Sequence, residues 1–508
     1  MKTFFITTAI DYANGHPHLG HALEKIGADA IARYNRLLGR PVHFLMGMDE
    51  HGQKVAQAAA AAGISPQAFV DRIAAVFEST WARLHISNDQ FIRTTDPVHR
   101  EGVQALIERI FERNPDDFFE QSYEGWYCVG CELFKREGEI VDGRCTLHPT
   151  RQLEWTIERN WFFRLSRYEQ RIREHFSANP NFLLPPSRRN EMLALIESGL
   201  EDISVSRARL SWAIPFPRPT SDGEAQGTWV WFDALPNYIT AAGFPNSGYE
   251  TLWPADLHVV GKDIIRLHCV VWPAMLMSAE LPLPVRVWGH GFVSVGGKRF
   301  SKSAGVTVAL DEAIDRHGPD AFRYFLLREV PWNDDGSFSW ERFDERYVSD
   351  LANDLGNLAN RTLSMLHRYR GGTVPRGGNT EIHAAVQNAV AQYRDRLDRY
   401  LLHEGAAVAL DLASRANAFI EARAPWKLAK DESRSDELDD TLGALVHALA
   451  AIAVLLFPFM PGKSEALWSA LGSGGHMPTL LEVEGTDPGG WSVAERAVLF
   501  PRPETVRE

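Results

Sequence analysis

The sequence predicts an α/β fold: a parallel sheet interrupted by an insertion and followed by an α-helical bundle. Three observations lead there. Near the N-terminus, KTFFITTAI and RPVHFLMGMD are continuous apolar strands flanking HALEKIGADAIARYNRLLG, an amphipathic helix closed by glycine. Apolar strands separated by a helix imply a parallel sheet covered on both faces. A second strand–helix pair follows much later, DLHVVGKD then IIRLHCVVWPAMLM, and the stretch between, about 115 to 225, has a different character of Gly-rich turns, aromatics and cysteines. From about residue 345 the strand signal fades, and YVSDLANDLGNLANRTLSMLHRYR, IHAAVQNAVAQYRDRLDRYLL, EGAAVALDLASRANAFIEARAPWKL and the 445–457 run all carry helical periodicity.

Composition fits this organisation. A chain of 508 residues, 45% apolar and 23% charged, exceeds one ordinary core, so roughly two to four domains are expected. The most apolar stretch, LVHALAAIAVLLFPFMPG, holds a histidine and ends in prolines, and reads as a buried helix with no membrane role. The N-terminus runs directly into a strand without a cleavage signal, and four cysteines do not make a disulfide scaffold, so a reducing cytoplasm is expected. A net charge of −13 argues against indiscriminate nucleic-acid binding but leaves room for a local basic surface.

Chemistry concentrates in two stretches. In NGHPHLGHALEKIGAD, His18, Gly20 and His21 fall where a helix begins after a parallel strand, with free N–H groups and the positive end of the helix dipole. Ligands of open α/β sheets sit at the carboxyl ends of strands. A phosphate or nucleotide site is the leading reading. Plain capping is the second, and a metal site completed by Asp49 and His51 the third. In GHGFVSVGGKRFSKSAG, Lys298, Arg299 and Lys302 lie among glycines and serines. Alone this is as well read as a solvated loop; it also has what a mobile loop needs to close over polyphosphate.

The cysteines form a third pattern. Cys128-x-x-Cys131 and Cys145-x-x-His148 are separated by a short loop, a spacing that closes around tetrahedral zinc. With four protein ligands the metal would be structural. Cys269 stands apart on a later helix.

Together, the His-x-Gly-His at the first strand–helix junction and the late Arg-Phe-Ser-Lys-Ser resemble the HIGH and KMSKS signatures of class I aminoacyl-tRNA synthetases. TTAIDYANGHPHLGHA, FLMGMDEHG, WVWFDALPNYIT and VVGKDIIRLHCVVWPAML resemble the methionyl branch of that family, in order, from residue 3 to about 430. The resemblance implies a Rossmann-like catalytic domain and an enzyme, an ATP-dependent aminoacyl-tRNA ligase acting on L-methionine and tRNA-Met. For ATP it implies His18, Gly20, His21, Gly261, Asp263, Lys298, Arg299, Ser301 and Lys302. His18, His21 and Lys302 would act on the transition state, and Mg2+ would accompany ATP. For methionine it implies Ile10, Tyr12, Asp49, Trp231, Ala234, Pro236, Tyr238 and His268. Asp49 would hold the ammonium; aromatic walls, with donors from Tyr12 and His268, suit a thioether. Arg207 would couple the two sites. Asp11, Leu235 and Leu267 depart from the branch's common residues, as do Arg299 and Phe300 in the KMSKS match.

The family also places a zinc knuckle in its insertion, matching Cys128, Cys131, Cys145 and His148, and reads a CAU anticodon with residues matching Asn357, Arg361 and Trp426. Asn357 and Arg361 share a helix face, and unpaired bases are read by stacking and edge hydrogen bonds. Arg368, Arg370 and Arg376 are candidate phosphate contacts. The implied domains are 1–114 (first catalytic half), 115–225 (insertion), 226–290 (second catalytic half), 291–345 (linking segment with the KMSKS loop) and 346–508 (anticodon-binding bundle and tail). A monomer is expected. The rivals are a class I synthetase for another apolar or thiol amino acid, and a non-catalytic tRNA-binding paralogue.

Overall fold

The computed structural model describes residues 2–502 apart from 130–132, 136, 209, 296–297, 300–307 and 496; the side chains at 123, 133, 134, 148, 150, 151, 157, 158, 298 and 299 also fall outside the description. In chain order, β1 (Phe4–Thr8) and the short β2 (Asp11–Tyr12) precede helix α1 (Leu19–Leu37). Next come β3 (Val42–Asp49), β4 (Gln90–Arg93), α2 (Pro97–Arg113), β5 (Leu183–Leu184), the short helix α3 (Val230–Ala234), β6 (Leu257–Gly261) and β7 (Val287–His290). The chain forms two compact units. One comprises Met1–Pro17, His43–Thr80 and Asn88–His290, the other His18–Val42, Trp81–Ser87 and Gly291–Glu508.

The first unit is built on a seven-stranded sheet in the order β5–β7–β6–β1–β3–β2, with β4 also paired to β3. The registers are parallel, with Ile6 opposite Leu257, Val259 opposite Trp288 and Met46 opposite Phe91. β1 is buried from Phe5 onward and β3 from Phe44 onward, which is why both read as unbroken apolar runs. Gly47 in β3 is a site of close approach. A Cβ there would lie 2.2 Å from the Ile92 carbonyl oxygen and 2.9 Å from Ile10, so glycine is what lets Ile10 pack onto the strand. The order puts β1 between β6 and β3, and Ile10, Asp49 and Gly261 lie at the carboxyl ends of these three strands. That is the place where open α/β sheets hold ligands.

The region 115–225 is largely antiparallel. Glu154–Phe163 pairs with Phe118–Cys128 along its length, and Leu133–Lys135 and Ile203–Ser204 extend that sheet. A smaller sheet joins Ile140–Val141, Arg144–Cys145 and His148–Gln152. β5 leaves this region to become an edge of the parallel sheet, Leu183 opposite Val287. At the root of the region, the buried Asp117 accepts from the Tyr168 hydroxyl, from Ser278 Oγ at 2.6 Å and from Arg167 Nη1 at 2.5 Å. Burial, then the hydrogen bond to Asp117, push the Tyr168 phenol up.

The second unit holds α1, a three-stranded sheet of Val293–Val295, Lys298–Arg299 and Gly336–Phe338, and helix α4 (Pro319–Glu329). Its bundle comprises α5 (Asn357–Arg370), α6 (Thr380–Asp398), α7 (Leu402–Arg423) and α8 (Ser435–Leu456). The 347–370 periodicity is divided: Tyr347–Gly356 is wound as a π-helix and α5 begins at Asn357. Ala424, left-handed at φ 45°, ends α7 before Pro425. Among the described residues one helix, Glu432–Leu456, is long and apolar enough to cross a membrane by length and composition; 89% of its apolar window is buried inside the protein. Its apolarity serves the core.

Arg323 is the tie within this unit. Fully buried on α4, it donates to Asp29 Oδ2 of α1 at 2.7 Å and to the carbonyls of Leu84, Pro458 and Phe459. Asp29 also accepts from Arg33 Nε at 2.8 Å and from the Ser87 amide and hydroxyl. Burial pushes the Asp29 carboxyl up, but Arg323, Arg33 and Ser87 outweigh it and hold the group below the usual carboxylate range.

Candidate active site

In the first unit the predicted pocket residues gather around β1, β3 and α3. Tyr12 lies opposite Asp49 in the β2–β3 register, and the Ala13 amide donates to the Asp49 carbonyl at 2.8 Å. Asp49 is buried, and Lys54 sits 5.4 Å above the Tyr12 ring. Ile10, Tyr12 and Trp231 are partly buried against the same core that contains Tyr238. Ala234 ends α3, and Pro236 precedes the turn of helix Asn237–Thr240 that carries Tyr238. Asp11 is buried in β2 opposite Met48, and Leu267 packs half-buried on the core.

His268 lies in a five-residue π-helical stretch, Leu267–Val271, a distortion common at functional sites. Its Nδ1 is 3.0 Å from the Ile264 carbonyl and must donate; its Nε2, 2.7 Å from the Tyr238 hydroxyl, then accepts. Both nitrogens are engaged inside the protein, and the His268 ring is bonded to the Tyr238 hydroxyl. A second layer was not anticipated from sequence. His258, fully buried, bonds Thr7 Oγ1 at 2.7 Å and lies 4.2 Å from the Tyr238 ring, with Trp253 beside His258 and Trp272 beside Tyr238. Burial, then His268, push the His258 imidazole well below its ordinary range, so it is neutral.

Gly261 and Asp263 lie at the end of β6, where the Lys262 amide donates to His290 and the Ile264 amide to Gly261. Asp263 is exposed, and a Cβ on Gly261 would meet its Oδ1 at 2.7 Å. Arg207 is buried, with Nη1 donating to Ser204 Oγ at 2.8 Å and to the Ser206 carbonyl at 2.7 Å.

In the second unit, His18 is the N-cap of α1. Its Nδ1 accepts from the amides of Gly20 at 3.1 Å and His21 at 3.4 Å, while the His18 amide donates to His21 Nδ1 at 3.3 Å. The rings stack 3.7 Å apart. A neutral imidazole accepting at Nδ1 carries its proton on Nε2, so each ring keeps an N–H at its far end. Capping and anion binding, rivals at the sequence level, are compatible here. A Cβ on Gly20 would stand 3.1 Å from the His18 ring, a tight contact against the cap. Of the basic loop, Lys298–Arg299 pairs antiparallel with Val293–Val295, the two side chains lying outside the description; Ser301 and Lys302 lie outside the described residues altogether.

Cys128 and Cys145 are buried in one small cluster with Leu153, and Cys145 pairs directly with His148 across a tight turn. Cys131 and the His148 side chain lie outside the description. Among the described residues no three metal-binding side chains come together. Two buried thiols from strands of two separate sheets meet in one small cluster, and their donor chemistry fits a tetrahedral ion. In the bundle, the Arg361 guanidinium lies 5.9 Å from the Trp426 ring and bonds Glu421 at 2.7 Å; Trp426 is 37% exposed, and Asn357 is exposed one turn before Arg361. Arg370 bonds Asp439 and Ser435.

The chain matches the family model for class I tRNA synthetases (M) over residues 4–152 and 135–363. It is 41% identical to the methionine–tRNA ligase of Caldanaerobacter subterraneus subsp. tengcongensis, covering 100% of this chain and 80% of that one. It is 39% identical to that of Streptomyces coelicolor, covering 99% and 97%. Mycobacterium tuberculosis methionyl-tRNA synthetase in complex with methionyl-adenylate superposes with a TM-score of 0.92 at 40% identity, covering 99% of this chain and 100% of that one.

Proposed function

Because the chain belongs to the methionine–tRNA ligases of the class I tRNA synthetases, and so joins methionine to tRNA-Met using ATP with Mg2+, we propose how its residues divide that work. The methionine carboxylate attacks the α-phosphate of ATP, pyrophosphate leaves, and the terminal adenosine of the tRNA then takes the methionyl group from the adenylate. No protein nucleophile is needed, so catalysis is positioning plus charge stabilisation.

His18 and His21 donate from Nε2 to the phosphate oxygens on which charge grows, and Lys302, with Lys298, Arg299 and Ser301, neutralises the pyrophosphate side. Gly20, Gly261 and Asp263 take the nucleoside. Asp49 holds the methionine ammonium, while Ile10, Tyr12, Trp231, Ala234, Pro236, Tyr238 and His268 enclose the side chain. The observation that carries this reading is the double-histidine cap, which fixes both tautomers with Nε2 as the donor.

Zinc held by Cys128, Cys131, Cys145 and His148 would brace the insertion, with no part in the chemistry. Asn357, Arg361 and Trp426 read the CAU anticodon, a role supported by the partly exposed Arg361–Trp426 pair. The five-segment domain division, a monomeric state and cytoplasmic residence belong to the same reading. The test is methionine-dependent ATP–pyrophosphate exchange by His21→Asn, which removes the Nε2 donor. We expect kcat to fall about 10²-fold with KM for methionine unchanged; an unchanged kcat would remove His21 from the phosphates.

A further inference from the structure

The carboxylate of Asp233 is fully buried, and an imidazole occupies each of its oxygens. Oδ2 lies 2.6 Å from His51 Nδ1, and Oδ1 lies 3.0 Å from His99 Nε2. His99 is itself held from behind, its Nδ1 lying 2.8 Å from Thr240 Oγ1, and that hydroxyl reaches the Asn237 carbonyl at 3.2 Å. A carboxylate anion only accepts, so both imidazoles donate to it and their orientations are set. Burial pushes the Asp233 carboxyl up, but the two histidines outweigh it and hold the group below its usual range.

The partners come from elements far apart in sequence. His51 stands two residues beyond Asp49, past the end of β3. His99 is in the first turn of α2, and Thr240 ends the short helix that carries Tyr238. Asp233 lies on α3 between Trp231 and Ala234. One buried carboxylate therefore fastens the strand end carrying Asp49 to the helix that walls the pocket. Stability does not call for this arrangement, since a well-packed apolar cluster in place of a buried ionic network is often neutral or better. A directional network does what apolar packing does not: it fixes one distance and one orientation.

We propose that Asp233 is a positioning residue for methionine: through His51 and His99 it sets the separation between Asp49 and the Trp231–Ala234 wall, so that ammonium and side chain are gripped together. The proposal rests on the assignment of Asp49, Trp231 and Ala234 to the methionine pocket. The residues the network spaces are ones assigned to methionine and none assigned to ATP, so the expected effect falls on one substrate.

The test is methionine-dependent ATP–pyrophosphate exchange by the full chain, varying methionine and ATP separately. Asp233→Asn keeps the shape but leaves one imidazole facing an amide N–H, and His51→Ala removes one arm. Each is expected to raise KM for methionine about tenfold or more, with KM for ATP and kcat at saturating methionine within about threefold of wild type. His51→Asn keeps a donor where Nδ1 stands and His99→Gln keeps one where Nε2 stands; both are expected to restore KM for methionine to within about threefold. If Asp233→Asn fails to fold, Thr240→Val, which removes only the hydroxyl behind His99, gives the same one-substrate signature at smaller amplitude. Parallel changes in both KM values, or no rescue by the conservative variants, would overturn the proposal and leave a merely structural network. Asp49→Asn separates the two levels. If it raises KM for methionine while Asp233→Asn does not, only the positioning role fails; if it does not, the pocket assignment fails and the proposal with it.

Discussion

His18 and His21 hold each other: His18 Nδ1 accepts the amide of His21 at 3.4 Å, and His21 Nδ1 accepts the amide of His18 at 3.3 Å. This reciprocal cap does two things at once. It satisfies donors at the start of α1, and it leaves Nε2 as the protonated end of both rings. His21→Ala is therefore expected to lose the reciprocal half of the cap, the acceptor for the His18 amide, as well as the Nε2 donor, with stability falling by about 1 kcal/mol. His21→Asn keeps a short acceptor for the His18 amide and is expected to stay within about 0.5 kcal/mol of wild type, while losing exchange activity as severely as the alanine variant. Chemical denaturation beside exchange kinetics checks both; if activity follows stability across the pair, the histidine serves only the helix.

The Arg323–Asp29 pair gives a pH prediction. The Asp29 carboxyl is held down in the folded state, so its contribution is fully present above the unfolded value near pH 4 and is lost as pH falls from there through the folded value. Asp29→Asn strands a buried guanidinium and is expected to cost about 3–5 kcal/mol at pH 7. That deficit should shrink below about pH 4, where the unfolded chain takes up a proton that the folded Asp29 still resists. Urea unfolding at pH 7 and pH 3 measures it. A deficit independent of pH would mean that Asp29 acts by shape alone.

Trp426 stands 37% exposed beside Arg361, on the turn that the left-handed Ala424 creates. Trp426→Ala is expected to lower kcat/KM for tRNA-Met charging about 10- to 100-fold, the worth of one stacked base. Exchange without tRNA should be unchanged. Normal charging by the variant would take Trp426 out of anticodon reading.

Metal content tests the cysteine pattern. Purified wild type is expected to carry about one zinc per chain, and Cys128→Ser and Cys145→Ser to lose it. Cys269, whose thiol burial pushes up well above the ordinary range, is a matched control, and Cys269→Ser should retain the metal. Elemental analysis decides. Loss of zinc from the Cys269 variant as well would point to general unfolding.

What was legible in the sequence was what repeats locally. β1, β3 and β6 announce themselves because a strand buried on both faces has no polar alternation to blur it. β5 does not, because two leucines before a proline carry no period, and only pairing with Val287 and Trp288 makes them a strand. The long antiparallel pair Phe118–Cys128 with Glu154–Phe163 was hidden for a related reason, its register being set across an intervening cysteine loop. At the site, motif residues could be named one by one, but their hydrogen bonding could not. Asp233 meets His51 and His99 across separations of 182 and 134 residues, and no local pattern marks such a meeting. The engagement of both His268 nitrogens was equally invisible, since one partner, Tyr238, lies 30 residues away on another helix.

The most direct test of the central claim is ATP–pyrophosphate exchange by the wild-type chain with each standard amino acid supplied in turn. The account predicts exchange with methionine and none of comparable rate with leucine, isoleucine or cysteine. Exchange driven by one of those instead, or no exchange with any amino acid alongside intact tRNA binding, would contradict it.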